Sequence, residues 1–148
     1  MQKTAESELY DRDFNLWLED TVAKLRRHDV DNLDWENLIE EIIALGKSEK
    51  RELIHRLEVL LLHLLKRIYI DSAYDNRGWE LTIKEQRRQL QLQLKQSPSL
   101  KKYVTDVFDE CWQYAISQVK LEYAKVSFPE HWEFSRDVEA ILSEEFWL

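Results

Sequence analysis

Two glycines, two prolines, one cysteine and one methionine are all that these 148 residues contain of those four types. So few glycines and prolines remove the usual punctuation of turn-rich sheets and leave long stretches of helix formers. They also exclude glycine-built phosphate loops and nucleophile elbows. The lone Cys111 excludes an internal disulfide and fits a reducing compartment, so the expected setting is the cytoplasm. Long apolar runs are missing too. The most apolar stretch, "VLLLHLL" at Val59 to Leu65, falls far short of the roughly 20 residues that span a bilayer. The first residues, "MQKTAESELYDRD", show no basic segment followed by an apolar one, so neither a secretory leader nor a membrane partner is expected.

What is present points to one packed helical domain. Six Trp, six Tyr and five Phe supply large core side chains, and 34% of the chain is charged. A chain of this size buries about 70% of its unfolded surface, so residues 1–148 are expected to form a single domain, with 1–9 as a flexible tail. The net charge of −8 is unevenly spread. Residues 1–46 carry 5 basic and 12 acidic side chains, residues 47–102 carry 13 and 7, and residues 103–148 carry 3 and 10. Such a chain either neutralises itself in the fold, the simpler reading, or presents a basic face to an anionic partner.

Apolar residues recur at spacings of three and four, which predicts an all-α bundle of five to six helices. Phe14, Trp17, Leu18, Thr21, Val22 and Leu25 predict a first helix from Tyr10 to Arg27. Asp34 is a plausible N-cap for a second helix carrying Trp35, Leu38, Ile39, Ile42 and Leu45. The stripe lapses through "GKSEKRE" and resumes at Leu53. Gly46 can end one helix and Ser48 can cap the next, so a break or sharp kink at Gly46 is expected rather than one helix over residues 34–70. A central helix to Ile70 is apolar nearly all round, so other helices should surround it. Further helices are expected from Trp79 to Lys95, from Ser97-Pro98 to about Lys125, and after Ser135.

These residues in this order resemble the bacterial, especially cyanobacterial, family called domain of unknown function 29. The similarity runs from about Leu9 to Phe146. Tyr10, Asp13, Phe14 and Trp17 match a Tyr-x-x-Asp-Phe-x-x-Trp opening, and Glu36-Asn37-Leu38, Glu40-Glu41-Ile42 and Leu45-Gly46 through Leu53 follow the family pattern closely. His63-Leu64-Leu65-Lys66, Trp79, Ile83, Gln86-Arg87 and Ser97-Pro98-Ser99-Leu100 continue it, with Phe128-Pro129 and Leu142 beyond. Arg67 stands where the family often has Trp, and Trp132-Glu133-Phe134 replaces a common Cys-Pro-Tyr. The resemblance implies a helical fold and brings no activity, cofactor or catalytic residue.

Three function classes follow from the residues. The first is a non-enzymatic protein-interaction module with a protein partner. A homodimer is also expected, because Phe146, Trp147 and Leu148 form an apolar free end. The second is a nucleic-acid-associated regulator using the basic helix Lys84 to Lys95, with Arg87 and Arg88 between, although the acidic balance weighs against it. The third is a metal-dependent enzyme around Glu52 and His55, whose Glu-x-x-His spacing puts both on one helix face. Only one such motif is present where carboxylate-bridged sites use two, so no metal or other cofactor is assigned. Cys111 lies on an apolar face and reads as an inert core thiol. The polar residues that stand out are Glu40, Glu41, His63, Lys66 and Arg87. We expect Glu40 or Glu41 to be partly buried and paired with Arg87, making a polar hub and the default ligand cleft.

Overall fold

The computed structural model describes residues 5–148, with side chains from residue 8 onward. Among these residues there are six α-helices and no strand: α1 (Ala5–Arg12), α2 (Phe14–Arg26), α3 (Trp35–Tyr69), α4 (Asn76–Gln96), α5 (Leu100–Glu122) and α6 (Val138–Ser143). A 3-10 turn at Val30–Asn32 precedes α3. The fold is all-α. Of the expected tail, residues 1–4 lie outside the described residues and residues 5–9 belong to α1. The chain divides into two compact units after Ser48, and α3 contributes to both.

The first unit is a hairpin. The single opening helix expected from Tyr10 to Arg27 is instead two, because Asp13 adopts an extended backbone (φ −153°) and its carboxylate accepts from the Leu16 N–H at 3.1 Å. This N-cap satisfies a donor that an uncapped helix start leaves orphaned. At its other end α2 closes with paired hydrogen bonds, Asp29 N–H to the Lys24 carbonyl at 2.9 Å and His28 N–H to the Leu25 carbonyl at 3.1 Å. His28 takes the left-handed position there (φ 58°), a role glycine usually fills. Asp34 caps α3 as expected, accepting from the Asn37 N–H at 3.5 Å.

The break expected at Gly46 does not occur. Gly46 sits inside α3 without positive φ, and a Cβ there would meet nothing within 4 Å. Neither a left-handed cap nor a close approach requires this glycine. Good helix formers on either side carry the helix through it at about 1 kcal/mol relative to alanine.

The second unit packs residues 49–69 of α3 against α4 and α5. Leu53, Leu57, Leu60, Leu61, Leu64 and Leu65 are fully buried, which fits a segment apolar nearly all round. Ile83 and Leu90 meet them from α4, and Val104, Phe108, Cys111 and Ala115 from α5. Ser97 ends α4 instead of opening α5, and its hydroxyl donates to the Glu49 carboxylate at 2.7 Å. Trp132 seals the core with its ring 5.3 Å from both Phe134 and Phe146. Phe146 and Trp147 pack against this core, so they are not the free apolar end from which a homodimer was expected; only Leu148 is exposed.

Candidate functional site

The five polar residues singled out in the sequence fall into separate settings. His63 and Lys66, one helical turn apart on α3, face α5 together. Lys66 Nζ lies 2.8 Å from the Glu122 carboxylate and 5.9 Å from the Tyr123 ring centre. Burial alone would raise the Glu122 pKa, but the Lys66 hydrogen bond and charge, helped by Gln118, hold it below the usual range. The His63 Nδ1–H is placed to donate to the Val59 carbonyl at 2.8 Å. Burial pushes its pKa down, the Val59 bond opposes this, and the Lys66 charge adds to the lowering. The ring is therefore held neutral, with Nδ1 carrying the proton.

Arg87 is buried, as a polar hub requires, but its partners are not the carboxylates expected. Its Nε donates to the Ile141 carbonyl at 2.9 Å and an Nη to the Glu144 carbonyl at 2.6 Å. These are terminal carbonyls of α6, which a helix end leaves without intrahelical donors and which carry its negative dipole end. A planar fork of charged donors can reach two such acceptors at once. Burial lowers the Arg87 pKa while Glu145 and Glu144 push it back up. The guanidinium also lies 6.0 Å from the ring centres of Phe146 and Trp147. Arg67 stacks 5.7 Å from the Trp147 ring, and Gln91 donates to the Leu142 carbonyl at 3.3 Å. Together these contacts clasp the C-terminal segment onto α3 and α4.

Glu40 and Glu41 belong to the hairpin. Glu40 is exposed, and Glu41 is half-buried and accepts from the Tyr10 hydroxyl, which raises the Tyr10 pKa. The Tyr10 ring packs edge-on against Phe14 and Trp17 at 5.6 and 5.0 Å. Trp17 is buried and donates its indole N–H to Asp34 at 3.2 Å; Asn37 Nδ2 donates to the same carboxylate at 2.7 Å. Asp34 is thus the polar centre of the hairpin. As a sequence feature it gave only an N-cap signal, because its long-range indole partner leaves no local mark.

The sequence matches the family described as "Domain of unknown function DUF29" over residues 9–147. The chain belongs to that family. No curated protein and no solved structure matches it. The DUF29 opening motif has a direct physical meaning here: Tyr10, Phe14 and Trp17 form the aromatic seam of the hairpin and Asp13 starts α2. In this DUF29 chain Arg67, Trp132 and Glu133 sit around the C-terminal clasp. Arg67 meets Trp147, Trp132 seals the core, and Glu133 accepts from the Tyr69 hydroxyl at 2.5 Å.

Of the remaining chemical candidates, Cys111, Glu52, Arg87 and Arg88 are engaged in packing or pairing, while His55 is exposed. Burial pushes the Cys111 thiol up to about 12, with Glu58 and Glu110 adding to it, so the thiolate that a nucleophile needs is suppressed. Glu52 is ion-paired with Arg56, and among the described residues no three His, Cys, Asp or Glu side chains converge as a metal site would need. On α4, Arg87 is turned inward, Arg88 is paired with Glu85 at 2.8 Å, and Lys84 and Lys95 stay exposed. No helix among the described residues is long and apolar enough to cross a membrane.

One feature of the hairpin was legible only in part. The apolar stripes that predict α2 and the start of α3 are largely uncovered: Phe14, Leu18, Val22 and Leu25 on α2 remain exposed. So do Trp35, Ile39, Ile42 and Leu45 on α3, with Ile42 at 60% and Leu45 at 71%. The Tyr10–Glu41 and Trp17–Asp34 pairs require the two arms to run antiparallel. These pairs set residues 34–41 of α3 beside residues 10–17, so the α3 row lies along α1 while the α2 row continues past the start of α3.

Proposed function

We propose that this chain is a protein-interaction module whose docking surface is the apolar face of its N-terminal hairpin. The observation that carries this reading is the pair of exposed rows, Leu18, Val22 and Leu25 on α2 and Trp35, Ile39 and Ile42 on α3. Single exposed apolar side chains are ordinary, but periodic rows of them along two helices are not. Covering each half-exposed aliphatic side chain contributes about 1 kcal/mol, so several together support a stable contact. Its setting in this reading is the cytoplasm, where the buried Cys111 stays reduced. Affinity capture with the wild-type chain and with an Ile39→Glu, Ile42→Glu variant tests the reading. Both positions are exposed on a helix, so the variant should fold, and its melt checks that. A protein held by the wild type and released by the variant supports the module. Identical captures by both remove the hairpin face from the function.

A further inference from the structure

We infer that the cleft between α4 and the C-terminal segment binds a small carboxylic acid, whose carboxylate docks on the Nη1 group of Arg87 beside Lys84. The site lies wholly within the second unit and does not depend on the hairpin. The cleft holds about 450 Å3. That is within the roughly 300–1,000 Å3 of small-molecule sites. Ile83, Lys84 and Arg87 line it from α4, and Leu142, Glu145 and Trp147 from the C-terminal segment.

Arg87 carries the argument. A guanidinium has five N–H donors. Here the Nε–H goes to the Ile141 carbonyl and one Nη2 hydrogen to the Glu144 carbonyl. Nη1 has no acceptor among the described residues, yet it is not one of the orphaned polar atoms sealed from solvent. An almost fully buried cation therefore keeps an open donor group, and it lines the cleft. Its charge is also incompletely offset. Burial lowers the Arg87 pKa by more than Glu145 and Glu144 together raise it. Lys84 is exposed and has no ion pair among the described residues. The other charged residues of the cleft are engaged: Arg88 with Glu85 at 2.8 Å, and Glu80 with Arg67 at 3.6 Å. One negative charge suits the two cations, since a dianion would set its second charge against Glu145. An apolar body suits Ile83, Leu142 and Trp147. Carboxylates accept strongly from charged N–H donors, and a partly desolvated cleft strengthens the contact.

Titration of the full chain with phenylacetate at constant ionic strength, followed by nuclear magnetic resonance, tests the inference. The Arg87 Nε–H and Trp147 indole N–H signals should shift together and saturate at about 10 mM or below. Lys84→Gln should weaken binding about two- to fivefold and Glu145→Gln should strengthen it by a similar factor. Lys95→Gln, at an exposed α4 position outside the cleft, should change nothing. These three positions are exposed, so the variants keep the fold, which their melts check. Arg87→Lys should weaken binding by about tenfold or more. Four results each overturn the assignment. The first is the absence of a saturating shift at either signal. The second is equal binding of neutral phenylacetamide, which would make this an apolar cleft without an anion site. The third is tighter binding of phenyl phosphate than of phenylacetate, which would make it a phosphate site. The last is weakening by Lys95→Gln as large as by Lys84→Gln, which would mean general attraction to a basic helix.

Discussion

Replacing Arg87 by Met should release the C-terminal clasp without emptying the core. The side chain is 8% exposed and charged, and it donates to two α6 carbonyls. Hydrogen bonds involving a charged partner contribute about 1.5–3 kcal/mol each, and the contacts over Phe146 and Trp147 add about 0.5–1 kcal/mol. Against this, Met restores apolar packing and removes the cost of burying a guanidinium, so the net loss should be about 3 kcal/mol. For a domain near 150 residues that lowers the melting temperature by about 6–12 °C. Arg87→Lys keeps the charge, but one ammonium cannot fork to both carbonyls, so its loss should be about half as large. Melts followed by far-UV circular dichroism, with tryptophan fluorescence reporting Trp147 and Trp132, should give the order wild type, Lys, Met. If both variants melt with the wild type and their fluorescence is unchanged, Arg87 does not hold the segment and the clasp is wrong.

Gly46→Ala should raise stability by about 1 kcal/mol, since the position is helical and open and alanine loses less entropy there; a lower melting temperature would mean that α3 is not helical at Gly46. His28→Gly should stabilise the hairpin by about 0.5–1 kcal/mol by removing left-handed strain, after glycine's own entropic cost, while His28→Ala gives no gain; equal melts for the Gly and Ala variants would contradict this. His63 gives a pH signature. Its folded pKa is depressed by burial, so its stabilising contribution is complete above the unfolded value of about 6.5 and is lost as pH falls below that. Wild-type melts should therefore decline more steeply from pH 7 to 5 than those of His63→Leu, and parallel profiles would show that the imidazole is not desolvated.

Helix content and the central core could be read from residue periodicity, because burial on one face repeats every three to four residues whatever the partner. The break at Asp13 was harder to see. An aspartate early in a helix suits the dipole as well as it suits a cap, and only the backbone geometry separates the two. Gly46 misled in the opposite sense, since one exposed glycine costs too little to interrupt strong helix formers. Arg87 stood out as a buried cation, but its acceptors are main-chain carbonyls at the end of α6, and any residue supplies a carbonyl. Exposure at Ile39 and Ile42 was invisible for a similar reason. An apolar stripe has the same period whether it faces a core or an absent partner.

The most direct test of the hairpin face is site-specific photo-crosslinking in the source cell. A photoreactive side chain is placed in turn at Leu18, Ile39 and Ile42 on the hairpin, and at Tyr74 and Leu121 as exposed controls. The account predicts crosslinks to a discrete polypeptide from the three hairpin positions and none from the controls. Hairpin positions that crosslink no more than Tyr74 and Leu121 would contradict the claim that this face is where the protein does its work.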